Sequence, residues 1–202
     1  MMNRKKLGIY GGSFDPIHLG HLLLAESARE ELGLDRVVFV PAKRSPFKPN
    51  FAPIGDDHRW RMLLLAIEGN PGFSASRVEL EREPPSYTVL TIEYFSHVYP
   101  DTELWLIMGQ DTLLDFAQWY QYRRLLQQAK IAVGRRPGFT DDEGVELPQE
   151  LNAYAHRFSF FSNPVFAVSS REIRERIKQG RSANYLLLPK VYDYIVKNRL
   201  YL

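Results

Sequence analysis

The 202-residue chain contains no cysteine, which excludes disulfides, thiolate catalysis and zinc–thiolate sites. It has no apolar run near the ~18 residues that a membrane span requires. The charged N-terminal residues lead into a short strand pattern rather than into the apolar core of a signal peptide. The net charge is only +2, so charge alone does not suggest binding to nucleic acid. We therefore expect a cytoplasmic protein that binds neither membranes nor nucleic acid.

The segment Gly11–His21 reads Gly-Gly-Ser-Phe-Asp-Pro-Ile-His-Leu-Gly-His and matches neither of the two common phosphate motifs. It lacks the Gly-Lys-Ser/Thr end of a P-loop, and its glycines do not fit Gly-x-Gly-x-x-Gly. It lies between an apolar strand pattern and an amphipathic helix pattern. Backbone N–H groups at a helix N-terminus, together with the helix dipole, favour an anion. The segment therefore predicts a phosphate site.

Two histidines, His18 and His21, stand three residues apart at the predicted start of this helix. On one helical face they could bind phosphate oxygens and stabilise charge that develops on a phosphoryl group. A His-x-x-His pair can also chelate a metal, although no third ligand follows at a suitable spacing. The remaining interpretation is that both are surface histidines near a helix start.

Strand and helix patterns alternate along the chain, without internal repeats. Strands are predicted at Lys6–Tyr10, Arg36–Pro41, Phe73–Glu81, Glu103–Gly109, Ile131–Gly134 and Pro164–Val168. Helices are predicted at Leu19–Leu32, from an aspartate cap at Asp56 or Asp57 to Glu68, from Ser86 or Thr88 to Tyr99, through Trp119, at Tyr122–Ala129, at Ser169–Gln179 and at Pro189–Asn198. A mobile loop is expected at Arg135–Gln149. This pattern predicts an α/β fold in which a doubly wound, Rossmann-like parallel sheet carries helices on both faces.

A chain of this length forms one domain, residues 1–202, around a single core. The candidate motifs all follow strands, and ligands of such sheets bind outside the carboxyl ends of the strands. We therefore expect one composite site at that edge.

Two separated motifs resemble the signatures of the nucleotidylyltransferase superfamily. Gly11–His21 looks like its His-x-Gly-His motif, and Val168–Arg174 is similar to its Ile-Ser-Ser-Thr-x-Ile-Arg motif. The resemblance implies that Ser170 and Arg174 contact ATP phosphates and that the C-terminal helices, residues 169–202, complete the ATP site. Without the first motif, Ser169 and Arg174 would be interpreted as a helix cap and a solvated side chain.

The middle of the chain resembles the bacterial nicotinate-nucleotide adenylyltransferases in three segments. These are Pro85–Thr91 (Pro-Ser-Tyr-Thr-Val-Leu-Thr), Gly109–Phe116 with Trp119, and Arg135–Gly138. The resemblance implies transfer of the adenylyl group of ATP to nicotinate mononucleotide, with Mg²⁺ carried by the ATP phosphates and no metal held by protein ligands. Trp119 would stack on the pyridine ring, and Thr88 with the backbone around Tyr120 would hold the nicotinate carboxylate. A core position is the alternative for Trp119.

By the same resemblance, His18, His21 and Arg174 are the catalytic candidates. The ATP-binding candidates are Gly11, Gly12, Ser13, Phe14, His18, His21, Gly109, Asp111, Arg136, Ser169, Ser170 and Arg174. The mononucleotide-binding candidates are Lys48, Ser86, Tyr87, Thr88, Asp111, Trp119 and Tyr120. The chain departs from the family pattern at Phe47, where histidine is common, and at Arg171, where threonine is usual.

Three alternatives stay open at this point. The same signatures serve phosphopantetheine adenylyltransferase and cytidylyltransferases, which are typically shorter and lack the Pro-Ser-Tyr-Thr segment. A nucleotide-binding module without activity is a third possibility, although both motif pairs are intact. A homo-oligomer is also possible.

Overall fold

The structure, a computed structural model, describes residues 4–47, 52–135, 147–164 and 167–202. Within these stretches the strands are β1 (Lys6–Gly12), β2 (Arg36–Pro41), β3 (Phe73–Ala75), β4 (Glu103–Gly109), β5 (Ala129–Arg135) and β6 (Phe158–Ser162). The α-helices there are α1 (Leu19–Glu31), α2 (Asp56–Ile67), α3 (Thr88–Val98), α4 (Gln110–Leu113), α5 (Tyr122–Gln128), α6 (Ser170–Lys178) and α7 (Pro189–Lys197). Two 3₁₀ helices span Phe116–Gln118 and Gln149–Arg157.

The strands form one sheet in the order β3-β2-β1-β4-β5-β6, and every neighbouring pair is parallel. This is the strand order of a doubly wound, Rossmann-like fold, which confirms the predicted fold class. The order reverses between β1 and β4, so a crevice opens beyond the carboxyl ends of these two strands. The sequence motifs that follow β1 and β4 therefore meet at one place.

Helices cover both faces of the sheet, because successive strand residues alternate between two apolar clusters. On one face, Trp105 and Ile107 of β4 belong to the cluster that α1, α2, α6 and α7 complete. On the other face, Leu104 and Leu106 belong to the cluster with α3 and α5. The C-terminal helices thus share a core with α1, the helix that begins at the histidine motif.

Two predicted strands are wrong in extent or position. The strand predicted at Phe73–Glu81 ends at Ala75, because Ser76 Oγ accepts the Val78 N–H (3.4 Å) and turns the chain away from the sheet. The last strand of the described residues is Phe158–Ser162, and residues 164, 167 and 168 of the predicted Pro164–Val168 are not in a strand. Phe158–Ser162 pairs with β5 from Ile131 to Arg135, because its buried Phe158 and Phe161 supply the apolar side chains that pack on the core.

Several predicted helix boundaries also differ. Gly55, and not an aspartate, caps α2. Asp56 and Asp57 both lie in the first turn, where their negative charges interact favourably with the helix dipole. The helix predicted through Trp119 is split into α4 and a 3₁₀ turn, so Trp119 has an extended backbone. The loop predicted at Arg135–Gln149 falls mostly on residues 136–146, which lie outside the described residues.

Candidate functional site

The glycines at the ends of β1 and β4 leave the backbone open at the crevice. Gly11, Gly12 and Gly109 all line a cleft of about 460 Å³. A Cβ atom at Gly11 or Gly109 would meet no atom within 4 Å. A ligand can therefore approach both strand ends at the distance of a backbone contact.

The segment after β1 is held by donors to three of its carbonyl oxygens. Arg59 Nη1 donates to Ser13 O (2.8 Å), Arg174 Nη1 to Asp15 O (2.5 Å), and Ser170 Oγ to Pro16 O (2.9 Å). The two predicted motifs thus contact each other, although Ser170 and Pro16 lie 154 positions apart in the sequence. Because a trans peptide directs its C=O and N–H to opposite sides, fixing the Ser13 carbonyl also fixes the Phe14 N–H.

The side chain of Asp15 is a buried carboxylate at the centre of this segment, with 2% of its surface exposed. Tyr201 near the C-terminus donates its hydroxyl to Asp15 Oδ1 (2.6 Å), and the Ile54 N–H lies 3.4 Å from Oδ2. Arg174 Nη1 lies 3.9 Å from Oδ2. Burial and the adjacent Asp15 charge together raise the pKa of Tyr201, so its hydroxyl stays a proton donor.

The two histidines lie together at the start of α1, but they do not both belong to the helix and so do not share one helical face. His18 is the N-cap residue and has an extended backbone, and His21 Nδ1 accepts the His18 N–H (3.2 Å). Their rings stack with centroids 3.7 Å apart. The prediction of a shared helical face is therefore wrong for His18, because the capping position takes it out of the helix. The capping geometry nevertheless brings the rings together.

The two imidazoles differ in exposure. His21 lines the cleft, whereas His18 is 7% exposed and lies behind the His21 ring. Burial lowers the pKa of His18 to about 4, so in the protein alone this imidazole is neutral at pH 7. A neutral imidazole can still donate an N–H to a phosphate oxygen.

Residues from the middle of the chain line the same cleft. Thr88 at the start of α3, Asp111 in α4 and the half-buried Trp119 all contribute to the lining. Trp119 also packs on the core ring of Phe116 (centroids 5.2 Å apart) and on Phe47 (5.8 Å). Trp119 therefore packs against the core, as the alternative predicts, and also lines the cleft. That it stacks on the pyridine ring stays a prediction.

Comparison with known proteins shows the family to which the chain belongs. Residues 9–176 match the family model described as cytidylyltransferase-like. A protein of Thermus thermophilus, named "Probable nicotinate-nucleotide adenylyltransferase", is 43% identical over 196 residues, which are 97% of this chain and 99% of that protein. The chain belongs to the nicotinate-nucleotide adenylyltransferases of the cytidylyltransferase-like family.

Further members of this family give the same result. A protein of the same name from Lachnoclostridium phytofermentans is 40% identical over 199 residues, which are 98% of this chain and 100% of that protein. A solved structure of Plasmodium falciparum nicotinic acid mononucleotide adenylyltransferase complexed with NaAD shares the fold, with a TM-score of 0.77. It is 20% identical and covers 98% of this chain and 97% of its own. The predicted family and fold class are confirmed.

The structure brings together nine of the candidate adenylyltransferase residues around one cleft. The lining includes Gly11, Gly12, Ser13, His21, Ser86, Thr88, Gly109, Asp111 and Trp119. His18 lies directly behind His21, and Ser170 and Arg174 contact the segment that carries them both. Arg136 and Lys48 lie outside the described residues.

Four other candidates have side chains engaged elsewhere. Phe14 is 1% exposed and packs in the core, so only its backbone is available to a ligand. Ser169 caps α6 by accepting the Glu172 N–H (3.1 Å), as the helix-cap interpretation predicts. Tyr87 and Tyr120 pack on each other with ring centroids 4.4 Å apart, and neither belongs to the cleft lining. Arg171 is exposed.

Sequence reasoning missed two buried charged residues that organise the cleft, Arg59 and Glu79. Arg59 is completely buried and, besides Ser13, binds the Ala42 carbonyl and the Asp56 carboxylate. A charged residue on the same helical stripe as Met62, Leu63 and Ala66 was a signal for it. Glu79, between two apolar residues, gave a similar signal.

The described residues contain neither a membrane-crossing helix nor a metal cluster. Within these stretches, no helix is both long enough and apolar enough to cross a bilayer. In the same part of the chain, histidine, aspartate and glutamate side chains nowhere form a group of three or more that could hold a metal ion.

Proposed function

We propose that this protein transfers the adenylyl group of ATP to nicotinate mononucleotide, giving nicotinate adenine dinucleotide and pyrophosphate. One observation carries the proposal most directly. The open glycine turn with His21 and the group formed by Thr88, Asp111 and Trp119 line a single cleft. A phosphate-binding turn and an aromatic wall in one crevice suit two nucleotides that must react with each other.

The chemistry needs no protein nucleophile. An oxygen of the mononucleotide phosphate attacks the ATP α-phosphorus, and the bond to the bridging oxygen of the β-phosphate breaks. Pyrophosphate then leaves with that electron pair. Catalysis therefore consists of positioning and electrostatic stabilisation.

On the ATP side, we propose that backbone N–H groups of Gly11, Gly12, Ser13 and Phe14 align the triphosphate. His21 donates to the reacting phosphoryl group, and His18 supports it from behind. Ser170 and Arg174 act from the start of α6, which Ser169 caps, and Arg136 is a further proposed ATP ligand. In this proposal the C-terminal helices, residues 169–202, complete the ATP site of a single domain. Gly109 and Asp111 lie on the ribose side.

On the mononucleotide side, Trp119 stacks on the pyridine ring, and Thr88 donates to the nicotinate carboxylate. Hydrogen bonds to one substrate group in a dry pocket discriminate strongly against analogues that lack it. Ser86 lines this end of the cleft, Tyr87 and Tyr120 pack on each other outside the lining, and Lys48 binds the phosphate.

The cleft also fits Mg²⁺ carried by the triphosphate. Asp111 and Asp115 line it, and carboxylate and phosphate oxygens are the ligands that this hard cation prefers. The bound cation would screen the charge of the β- and γ-phosphates. Asp111 and Asp115 would then orient its hydration shell, and no dedicated protein cage is required.

The test is pyrophosphate release from ATP and Mg²⁺ with nicotinate mononucleotide, nicotinamide mononucleotide or phosphopantetheine supplied separately. Release with nicotinate mononucleotide, at the highest kcat/KM of the three, is expected. Preferential release with phosphopantetheine would reassign the substrate, and no release with any acceptor would favour a binding module.

Replacing His21 by alanine tests its role in this reaction. We expect kcat to fall by about 100-fold or more, with an unchanged far-UV circular dichroism spectrum, because one charge-stabilising donor is lost. An unchanged kcat would remove His21 from the mechanism. Cytoplasmic location and homo-oligomerisation stay predictions.

A further inference from the structure

Glu79 is a buried carboxyl group on the wall of the cleft, to which the proposed reaction assigns no role. It lies in the turn after β3, is 5% exposed and contributes to the cleft lining. Burial raises its pKa, and hydrogen bonds from Thr91 and Ser86 oppose that rise. A buried carboxyl of this kind costs free energy unless its hydrogen bonds repay it.

The Glu79 carboxyl group joins two elements that are separate in sequence. Thr91 in α3 donates its hydroxyl to Oε1 (2.6 Å), and Glu79 lines the same cleft as Ser86. Ser86 is buried just before α3. Glu79 therefore fixes the first turns of α3, and through them the segment that enters this helix.

Ser86 extends the network to the loop that follows β2. Its Oγ accepts the Lys43 N–H (3.0 Å), and its own N–H donates to Arg44 O (2.9 Å). That loop continues into Ser45, Pro46 and Phe47, which line the cleft. The segment that leads into Thr88 and the loop that carries Phe47 are thus bonded to each other through Ser86.

We infer that Glu79 is the positioning residue of the mononucleotide pocket, because it holds the start of α3 through Thr91 and the segment that enters this helix is bonded through Ser86 to the loop after β2. The identity of the substrate in this inference rests on the proposed function, whereas the contacts of Glu79 and Ser86 do not depend on it. Glu79 acts by fixing the position of Thr88 relative to Phe47 and Trp119, which pack on each other and line the same cleft. At the triphosphate end of the cleft, Arg174 and Ser170 bond to the Asp15 and Pro16 carbonyls. Arg59 bonds to both ends, through the Ser13 and Ala42 carbonyls.

The test compares Glu79→Ala, Glu79→Gln and the matched control Glu81→Ala, which removes an exposed carboxylate two residues away. We expect Glu79→Ala to raise KM for nicotinate mononucleotide about tenfold or more while KM for ATP changes less than about twofold. Glu79→Gln keeps a carbonyl acceptor of the same shape and should recover most of the loss. Glu81→Ala should match the wild type.

Three results would overturn the inference. They are an unchanged KM for the mononucleotide in Glu79→Ala, an equal rise in both KM values, and a glutamine variant as impaired as the alanine variant. If Glu79→Ala does not fold, Thr91→Val removes only the 2.6 Å bond and should raise the same KM in the same direction; no rise would count against the inference.

Amide hydrogen exchange separates this inference from the proposed function. The Lys43 N–H, which donates to Ser86, should lose protection in Glu79→Ala whatever substrate the enzyme uses. Lost protection in a protein without adenylyltransferase activity would refute the proposed substrate and retain the clamp. Unchanged protection would refute the clamp.

Discussion

Protonation of His18 should destabilise the folded protein as the pH falls below neutrality. His18 is 7% exposed, and burial lowers its pKa from 6.5 to about 4. Its Nδ1 atom is buried and has no hydrogen-bond partner in the part of the chain that the structure describes. A proton added there would gain neither water nor an acceptor among those residues.

The sign and size of the effect follow from the two pKa values. In the unfolded chain His18 takes up its proton near pH 6.5, whereas in the folded protein it does so only near pH 4. The unfolded state therefore binds more protons within this window, and stability is lost as the pH falls through it. The full difference amounts to about 3 kcal/mol of unfolding free energy. Above pH 6.5 His18 is largely neutral in both states and causes almost no loss of stability.

Urea unfolding between about pH 7.5 and 4, followed by circular dichroism, measures this loss. Carboxylates also titrate in this range, so the comparison is between the wild type and His18→Gln, which does not titrate. The wild type should lose about 3 kcal/mol more than this variant. An exposed-histidine control, His156→Gln, should behave like the wild type. Parallel curves for the wild type and His18→Gln would refute the reasoning.

Three other substitutions test the remaining parts of the site. Arg59→Met should lower the unfolding free energy by about 3 kcal/mol, because three carbonyls lose a buried donor. The control Arg61→Met, an exposed change on the same helix, should leave the unfolding free energy almost unchanged. Equal urea midpoints for the two variants would contradict this prediction. Tyr201→Phe should cost about 2 kcal/mol by removing a donor from the buried Asp15 carboxylate, and an unchanged midpoint would show that the C-terminal contact is dispensable. Trp119→Ala should raise KM for the mononucleotide and leave KM for ATP nearly unchanged, whereas a rise confined to ATP in steady-state kinetics would refute the stacking assignment.

The elements that were predicted well are those whose sequence pattern is local. The strand Glu103–Gly109 is a continuous apolar run and was predicted to the residue. The strand predicted from Phe73 is too long, because β3 ends at Ala75 although β2 continues to Pro41. The Ser76 hydroxyl turns the chain away from the sheet there, and a strand pattern does not show where such a turn forms.

The candidate site shows the same division. The glycine turn was predicted from its residue types, since open backbone and imidazoles are properties of those residues. The roles of Glu79 and Tyr201 were not predicted, because each acts through a residue that is distant in sequence, including the C-terminal contact of Tyr201 with Asp15 across 186 positions. A buried charge acquires its role only from the partners that folding brings to it.

The sequence by itself determined the alternating strands and helices and the family to which the chain belongs, and it predicts a phosphate site at Gly11–His21. These depend on periodicity, residue chemistry and motif order. Only the tertiary structure decided that His18 lies buried behind His21 and that Ser170 and Arg174 hold the carbonyls of that segment. Exposure, and with it pKa and hydrogen-bond partners, is a property of the packed sheet, because neighbours from several distant parts of the chain supply it together.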